Sequence, residues 1–109
     1  MTAPTVAEAS ASTVLNAAAD ALAALCHARV STVDVNRAVL ETADRLLPAD
    51  RSGAYRLACR TLDVLTAHRS ATGEDPAALD RWTGVFGRDA MAEQMRAAAQ
   101  ATTGQAVQA

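Results

Sequence analysis

The chain has no lysine and no isoleucine, and it has one Trp, one Tyr and one Phe among its 109 residues. All ten basic side chains are arginine. The absence of lysine excludes Schiff-base catalysis, covalent attachment of pyridoxal phosphate and a phosphate-binding loop with its lysine. Residues with AT-rich codons are scarce while alanine makes up about a quarter of the chain. This bias predicts a bacterial source with a GC-rich genome.

Other features in short supply narrow the function further. The formal net charge of −2 gives no overall basic footprint for nucleic acid or for an anionic membrane. No apolar run is long enough to span a bilayer, and Glu8 precedes every arginine, so the start lacks the basic region of a signal peptide. The two cysteines, Cys26 and Cys59, make a weak case for a disulfide. We therefore predict a cytoplasmic protein with reduced thiols.

Alanine is what the chain has in abundance, and it dominates the half of the residues that are hydrophobic. Leu, Ile, Val and Phe together make up just under a fifth of the chain, so the core must be lean. Because alanine is the best helix former, the composition favours a helical domain. A small core is often completed by a partner surface, which favours self-association or binding to another protein.

Hydrophobic spacing predicts a first amphipathic helix over about residues 12–28. Ser31 followed by Asp34 then indicates a capping box, with Val30 and Val35 as its hydrophobic staple. The second helix is expected to run to about Leu47, before Pro48. Its apolar stripe is broad, which predicts contact with two neighbours and a central position; it consists of Val35, Val39, Leu40, Ala43, Leu46 and Leu47.

The remaining chain predicts a turn at Pro48–Gly53 and a third helix over about residues 54–70. Asp75-Pro76 indicates the start of a fourth, shorter helix, and Gly87 separates it from a last helix over about 89–100. No alternating pattern typical of strands is visible. The predicted fold is therefore an all-α, mostly antiparallel bundle of four to five helices over residues 12–101, flanked by flexible segments at 1–11 and 102–109.

The residues that could carry chemistry do not form a catalytic or metal-binding pattern. Cys26 and His27 diverge on the predicted helix, and we expect each cysteine to be a small buried or half-buried side chain. His68 is expected at the core edge near the last carbonyls of the third helix. No E-x-x-H or C-x-x-C spacing is present. We predict no metal, no cofactor and no enzymatic activity.

Arginines on the third helix support one alternative function. Arg56 and Arg60 lie one turn apart near its start, with Tyr55 beside them, as in the recognition helix of a DNA-binding helix-turn-helix. The preceding helix and the turn are longer than that motif usually has, and the chain is slightly acidic. A solvated polar face is the competing interpretation.

The tripeptide Trp82-Thr83-Gly84 resembles the W-x-G turn of the WXG family of small secreted helical hairpins. In that family the tripeptide lies at a central turn, whereas here it follows three predicted helices. The family's C-terminal Tyr-x-x-x-Asp/Glu signal is also missing. Secretion is therefore not carried over to this chain.

The large apolar side chains of the last part of the chain are either core or a partner-binding surface. Packing of the fourth helix over the first three explains them, but Trp and Met are also enriched in interface cores. We predict a non-enzymatic interaction or regulatory module that binds a helical partner or forms a homodimer. The predicted binding residues are Trp82, Phe86, Met91, Met95, Leu40 and Leu47.

Overall fold

The computed structural model describes residues 10–71 and 85–108. Its helices are α1 (Ala11–Ala23), α2 (Thr32–Leu46), α3 (Arg51–Ala71) and α4 (Arg88–Gln108), and its strands are β1 (Arg29–Ser31) and β2 (Val85–Gly87). These four helices of the described ranges pack on one another, which confirms the all-α bundle. Helix α4 is the predicted last helix, and the predicted start of a fourth helix at Asp75-Pro76 lies outside the described residues. None of the described helices is both long enough and apolar enough to cross a bilayer.

Helix α1, and not α2, lies at the centre of the bundle. It packs against α2, α3 and α4, whereas α2 packs mainly against α1 and α3. Half of the buried side chains of α1 are alanines, which let neighbouring helices approach on a wide face; its buried residues are Ala11, Val14, Leu15, Ala18, Ala19 and Leu22. The prediction of two neighbours for α2 is confirmed, but its central position is wrong, because the small alanine side chains of α1 let three helices pack around that helix instead.

Helix α2 begins where the sequence predicts, with both halves of the capping box formed. The backbone N–H of Asp34 donates to the Ser31 hydroxyl at 3.3 Å, and the Ser31 N–H donates to the Asp34 carboxylate at 2.8 Å. Val30 and Val35, the predicted staple residues, are both buried in the core. Both halves of the capping box are local in sequence, so this helix start can be read from the sequence.

The turn between α2 and α3 is shorter than predicted, because α3 begins at Arg51 and includes Gly53. Asp50 caps α3, since its carboxylate accepts from the Gly53 N–H at 2.9 Å and its carbonyl accepts from the Ala54 N–H at 2.9 Å. A side chain at position 53 would collide with that carboxylate. Glycine thus marks the first turn of the helix here and not the end of the loop.

Two short strands, which no alternating pattern in the sequence predicts, join the start of α2 to the start of α4. β1 and β2 pair antiparallel, with Val30 opposite Phe86. The segment 24–28, predicted as helix, is non-helical. The Arg88 guanidinium donates to the Leu25 carbonyl at 2.6 Å, and the Arg88 N–H donates to the Ala28 carbonyl at 2.8 Å. These tertiary contacts replace the last predicted turn of α1.

Helix α4 closes the bundle by running antiparallel to α1. Its first residue contacts the chain just after α1, and further along it Arg96 pairs with Asp20 at 2.8 Å. Met91 and Met95 are fully buried within the core. The helix continues to Gln108, beyond its predicted end near Gln100.

Candidate interaction surfaces

Only one of the six predicted partner-binding side chains is an exposed hydrophobic residue in the described structure. Met91, Met95 and Leu47 are buried, so in the described structure they pack in the core and do not lie on the surface. Phe86 lies in β2 and not in a helix, and only its backbone is described. Trp82 lies outside the described residues. Leu40 remains, with 38% of its surface exposed.

Leu40 lies at the middle of what we call the α2 face, the solvent side of that helix. A shallow groove of about 360 Å³ follows this face. The described residues that line it are Val33, Asn36, Arg37, Leu40, Glu41 and Asp44. Their spacing of three and four residues places them on a single side of the helix. An apolar centre with a charged rim is the usual composition of a protein interface.

The charges on the α2 face are available for a partner. Arg37, Glu41 and Asp44 are exposed, and none of them forms a hydrogen bond or an ion pair with another described residue. These three side chains are therefore solvated. An intermolecular contact would not have to break an existing pair.

A second surface, which we call the α3 face, is basic. Arg56, Cys59 and Arg60 are exposed on the first half of α3, and Tyr55 has 63% of its surface exposed. Arg51 is also exposed in the first turn, which contains no acidic residue. The positive end of the helix dipole disfavours cations there and attracts anions. This effect is confined to the first turn, which the Asp50 carboxylate already caps, so the attraction of Arg56 and Arg60 for anionic groups comes from their own charges.

Both cysteines are exposed, so the expectation that they are buried or half-buried is wrong. Cys26 follows the end of α1, in the non-helical segment that leads into β1. Cys59 comes one residue after the buried Ala58, which turns its side chain about 100° away from the core stripe. Among the described residues no group of three or more His, Cys, Asp or Glu side chains could hold a metal ion.

The two histidines lie in different environments. His27 is exposed, and its Nε2 lies 3.8 Å from Oδ2 of Asp34. The pKa of Asp34 is lowered, chiefly because the carboxylate accepts the Ser31 backbone N–H and further because of the Ser31 hydroxyl, His27 and Arg37. His68 is half-buried and lines a cleft of about 260 Å³ between α3 and α4. Its position at the core edge agrees with the prediction.

A buried arginine, which the sequence pattern did not predict, lies near the end of α3. Arg69 is 3% exposed, and its Nη1 lies 3.9 Å from the Met91 sulfur. It follows Thr61 and Leu65 at intervals of four residues, and both of those are fully buried. That spacing was the available signal, because it places position 69 on the core stripe. The last turn of a helix also favours a cation.

Comparison with known proteins identifies no relative of this chain. The tripeptide Trp82-Thr83-Gly84, which carries the resemblance to the WXG family, lies outside the described residues. No protein-family model, no curated protein and no solved structure matches the chain.

Proposed function

We propose that this chain is a non-enzymatic protein–protein interaction module of a bacterial cytoplasm, and that the α2 face carries the binding. The observation on which the proposal depends is Leu40, exposed at the centre of a groove whose charged side chains form no hydrogen bond or ion pair with a described residue. An isolated surface leucine would need no explanation. Here it coincides with a groove and with unpaired charges of both signs.

The completeness of the core supports this location. Met91 and Met95 fill the interior from α4, so the described bundle does not need a partner to bury them. A binding surface must then lie on an outer helix face. The α2 face fits because its side chains can change without creating a cavity in the core.

The substitution Leu40→Arg tests the proposal, with Ala97→Arg on the exposed side of α4 as the matched control. Each variant and the parent chain, tagged, is recovered from native-host extract and its size and associated proteins are measured. We expect Leu40→Arg to lose association while Ala97→Arg retains it, with equal helicity by circular dichroism. Association that is absent from the parent, or unchanged in Leu40→Arg, contradicts the proposal.

A DNA-binding function is the second candidate, and the α3 face favours it. Tyr55, Arg56 and Arg60 are exposed together, and neither arginine forms an ion pair within the described residues. The turn before α3 covers residues 47–50 and is therefore shorter than the sequence indicated. This removes one objection to a helix-turn-helix arrangement.

Mobility of a fluorescent duplex at low salt tests the second candidate. Binding through the α3 face should weaken with salt and on the double substitution Arg56→Ala and Arg60→Ala. Arg37→Ala on the α2 face removes an equally exposed charge and should have little effect. Unchanged mobility of the duplex in the presence of the parent protein eliminates this candidate.

A further inference from the structure

We propose that the α2 face binds the α2 face of a second copy of this chain, antiparallel and about a two-fold axis close to Leu40. This inference rests on the proposed function and identifies its partner. In such an interface the same surface patch is used on both copies and must be complementary to itself. The order of charges along α2 meets that condition.

Charge complementarity selects the antiparallel orientation. Arg37 precedes Leu40 by three residues, whereas Glu41 and Asp44 follow it by one and four. At a rise of about 1.5 Å per residue, Arg37 lies about 4.5 Å before Leu40 and Asp44 about 6 Å after it. Across a two-fold axis, Arg37 of each copy therefore faces Asp44 of the other, while Glu41 lies about 1.5 Å past Leu40, beside the axis. A parallel pairing would instead place like charges together.

The surroundings of Leu40 suit a second copy with the same composition. Two Leu40 side chains would meet at the axis and be removed from water, and each is 38% exposed in the single chain. Around them each copy would supply one basic and two acidic side chains. At each end of the interface an arginine of one copy would then lie opposite an aspartate of the other. None of these groups is committed to a described ion pair.

The small apolar centre predicts weak association that is sensitive to salt. One leucine from each copy places the interface at the low end of the size range of specific complexes. Exposed ion pairs are weak individually and are screened by salt. Two-fold symmetry makes each substitution count twice, because each copy contributes the altered residue.

Sedimentation equilibrium of the full chain at low ionic strength tests the inference, over about 10 µM to about 1 mM protein. The apparent mass should rise from 11.3 kDa toward twice that value. We expect Arg37→Glu, and separately the pair Glu41→Arg with Asp44→Arg, to lower the association constant on the order of tenfold. An equimolar mixture of these two variants should restore association, because an acidic face then meets a basic one.

Control variants separate the interface from the fold. Ala97→Arg should associate like the parent, and Leu40→Ala should associate more weakly with unchanged helicity. A monomer at every concentration overturns the inference, as does a dimer that tolerates both Leu40→Ala and the charge substitutions. The chain could be monomeric and still bind a host protein that Leu40→Arg no longer recovers. In that case the inference of self-association is wrong and the proposed function stands. If the chain neither self-associates nor binds a host protein through Leu40, both proposals are rejected.

Discussion

Substitution of Gly53 by alanine gives a quantitative test of how α3 begins. Alanine in place of a helical glycine normally stabilises a protein by about 0.5–1 kcal/mol. At this position an added Cβ would lie 2.7 Å from Cγ of Asp50 and still closer to one carboxylate oxygen. The carboxylate would have to rotate away, which breaks its 2.9 Å hydrogen bond to the backbone N–H of residue 53.

The gain from replacing a helical glycine and the loss of the Asp50 cap have opposite signs and similar magnitudes. Loss of an N-cap costs about 1 kcal/mol, within a range of about 0.5–2. Gly53→Ala alone should therefore change the free energy of unfolding by little, or lower it slightly. Asp50→Ala alone should lower it by about 1 kcal/mol. Once Asp50 is alanine there is no carboxylate to displace, so Gly53→Ala should then stabilise by about 0.5–1 kcal/mol.

A double-mutant cycle tests this reasoning. The free energy of unfolding in urea is measured by circular dichroism on the parent, both single variants and the double variant. We expect an interaction energy of about 1 kcal/mol between positions 50 and 53. Gly87→Ala is the control, because its Cβ would meet only the Ala90 Cβ at an ordinary 3.8 Å. Its effect should add to that of Asp50→Ala. Additivity of Gly53→Ala and Asp50→Ala, within about 0.3 kcal/mol, would refute capping by Asp50.

Three further predictions concern the capping box, the core and the α1–α4 junction. The lowered pKa of Asp34 means that its carboxylate stabilises the fold fully above its usual pKa of 3.8, and that this contribution disappears as pH falls through the lower folded value. Urea midpoints should therefore fall less below about pH 4 in Asp34→Asn than in the parent. Met95→Ala should cost about 2–5 kcal/mol in the same assay, because it leaves a cavity; a neutral result would contradict its burial. Arg88→Met should cost about 1.5–3 kcal/mol and lower the melting temperature, because the Leu25 carbonyl loses a charged donor.

The parts of the fold that the sequence predicts are those set by neighbouring residues. Ser31 and Asp34 determine the start of α2 through two local hydrogen bonds, and a sequence pattern contains both partners. The end of α1 depends instead on Arg88, which lies 63 positions from the carbonyl that it binds. The β1–β2 pairing also joins residues that are far apart in the sequence, and a three-residue strand is too short to show an alternating pattern.

The candidate site was only partly predictable for a different reason. Apolar spacing identifies which side of a helix is apolar but not whether the core or a partner covers it. Met95 and Leu40 both fit the expected stripes, yet the first is fully buried and the second is partly exposed. Tertiary packing makes that distinction. The same limit applies to Arg69, whose charge obscures its place on the buried stripe of α3.

The two outer faces differ in charge pattern, and this difference links the structure to its experimental tests. The α2 face carries charges of both signs in an order that complements itself, whereas the α3 face carries arginines near a helix N-terminus. Added salt weakens binding at either face, so salt dependence alone cannot identify the one in use. Reversing charge on the α2 face should change self-association and leave DNA mobility unaffected. Removing arginines from the α3 face should do the opposite. Because the described core is closed beneath both faces, each effect can be measured on a folded chain.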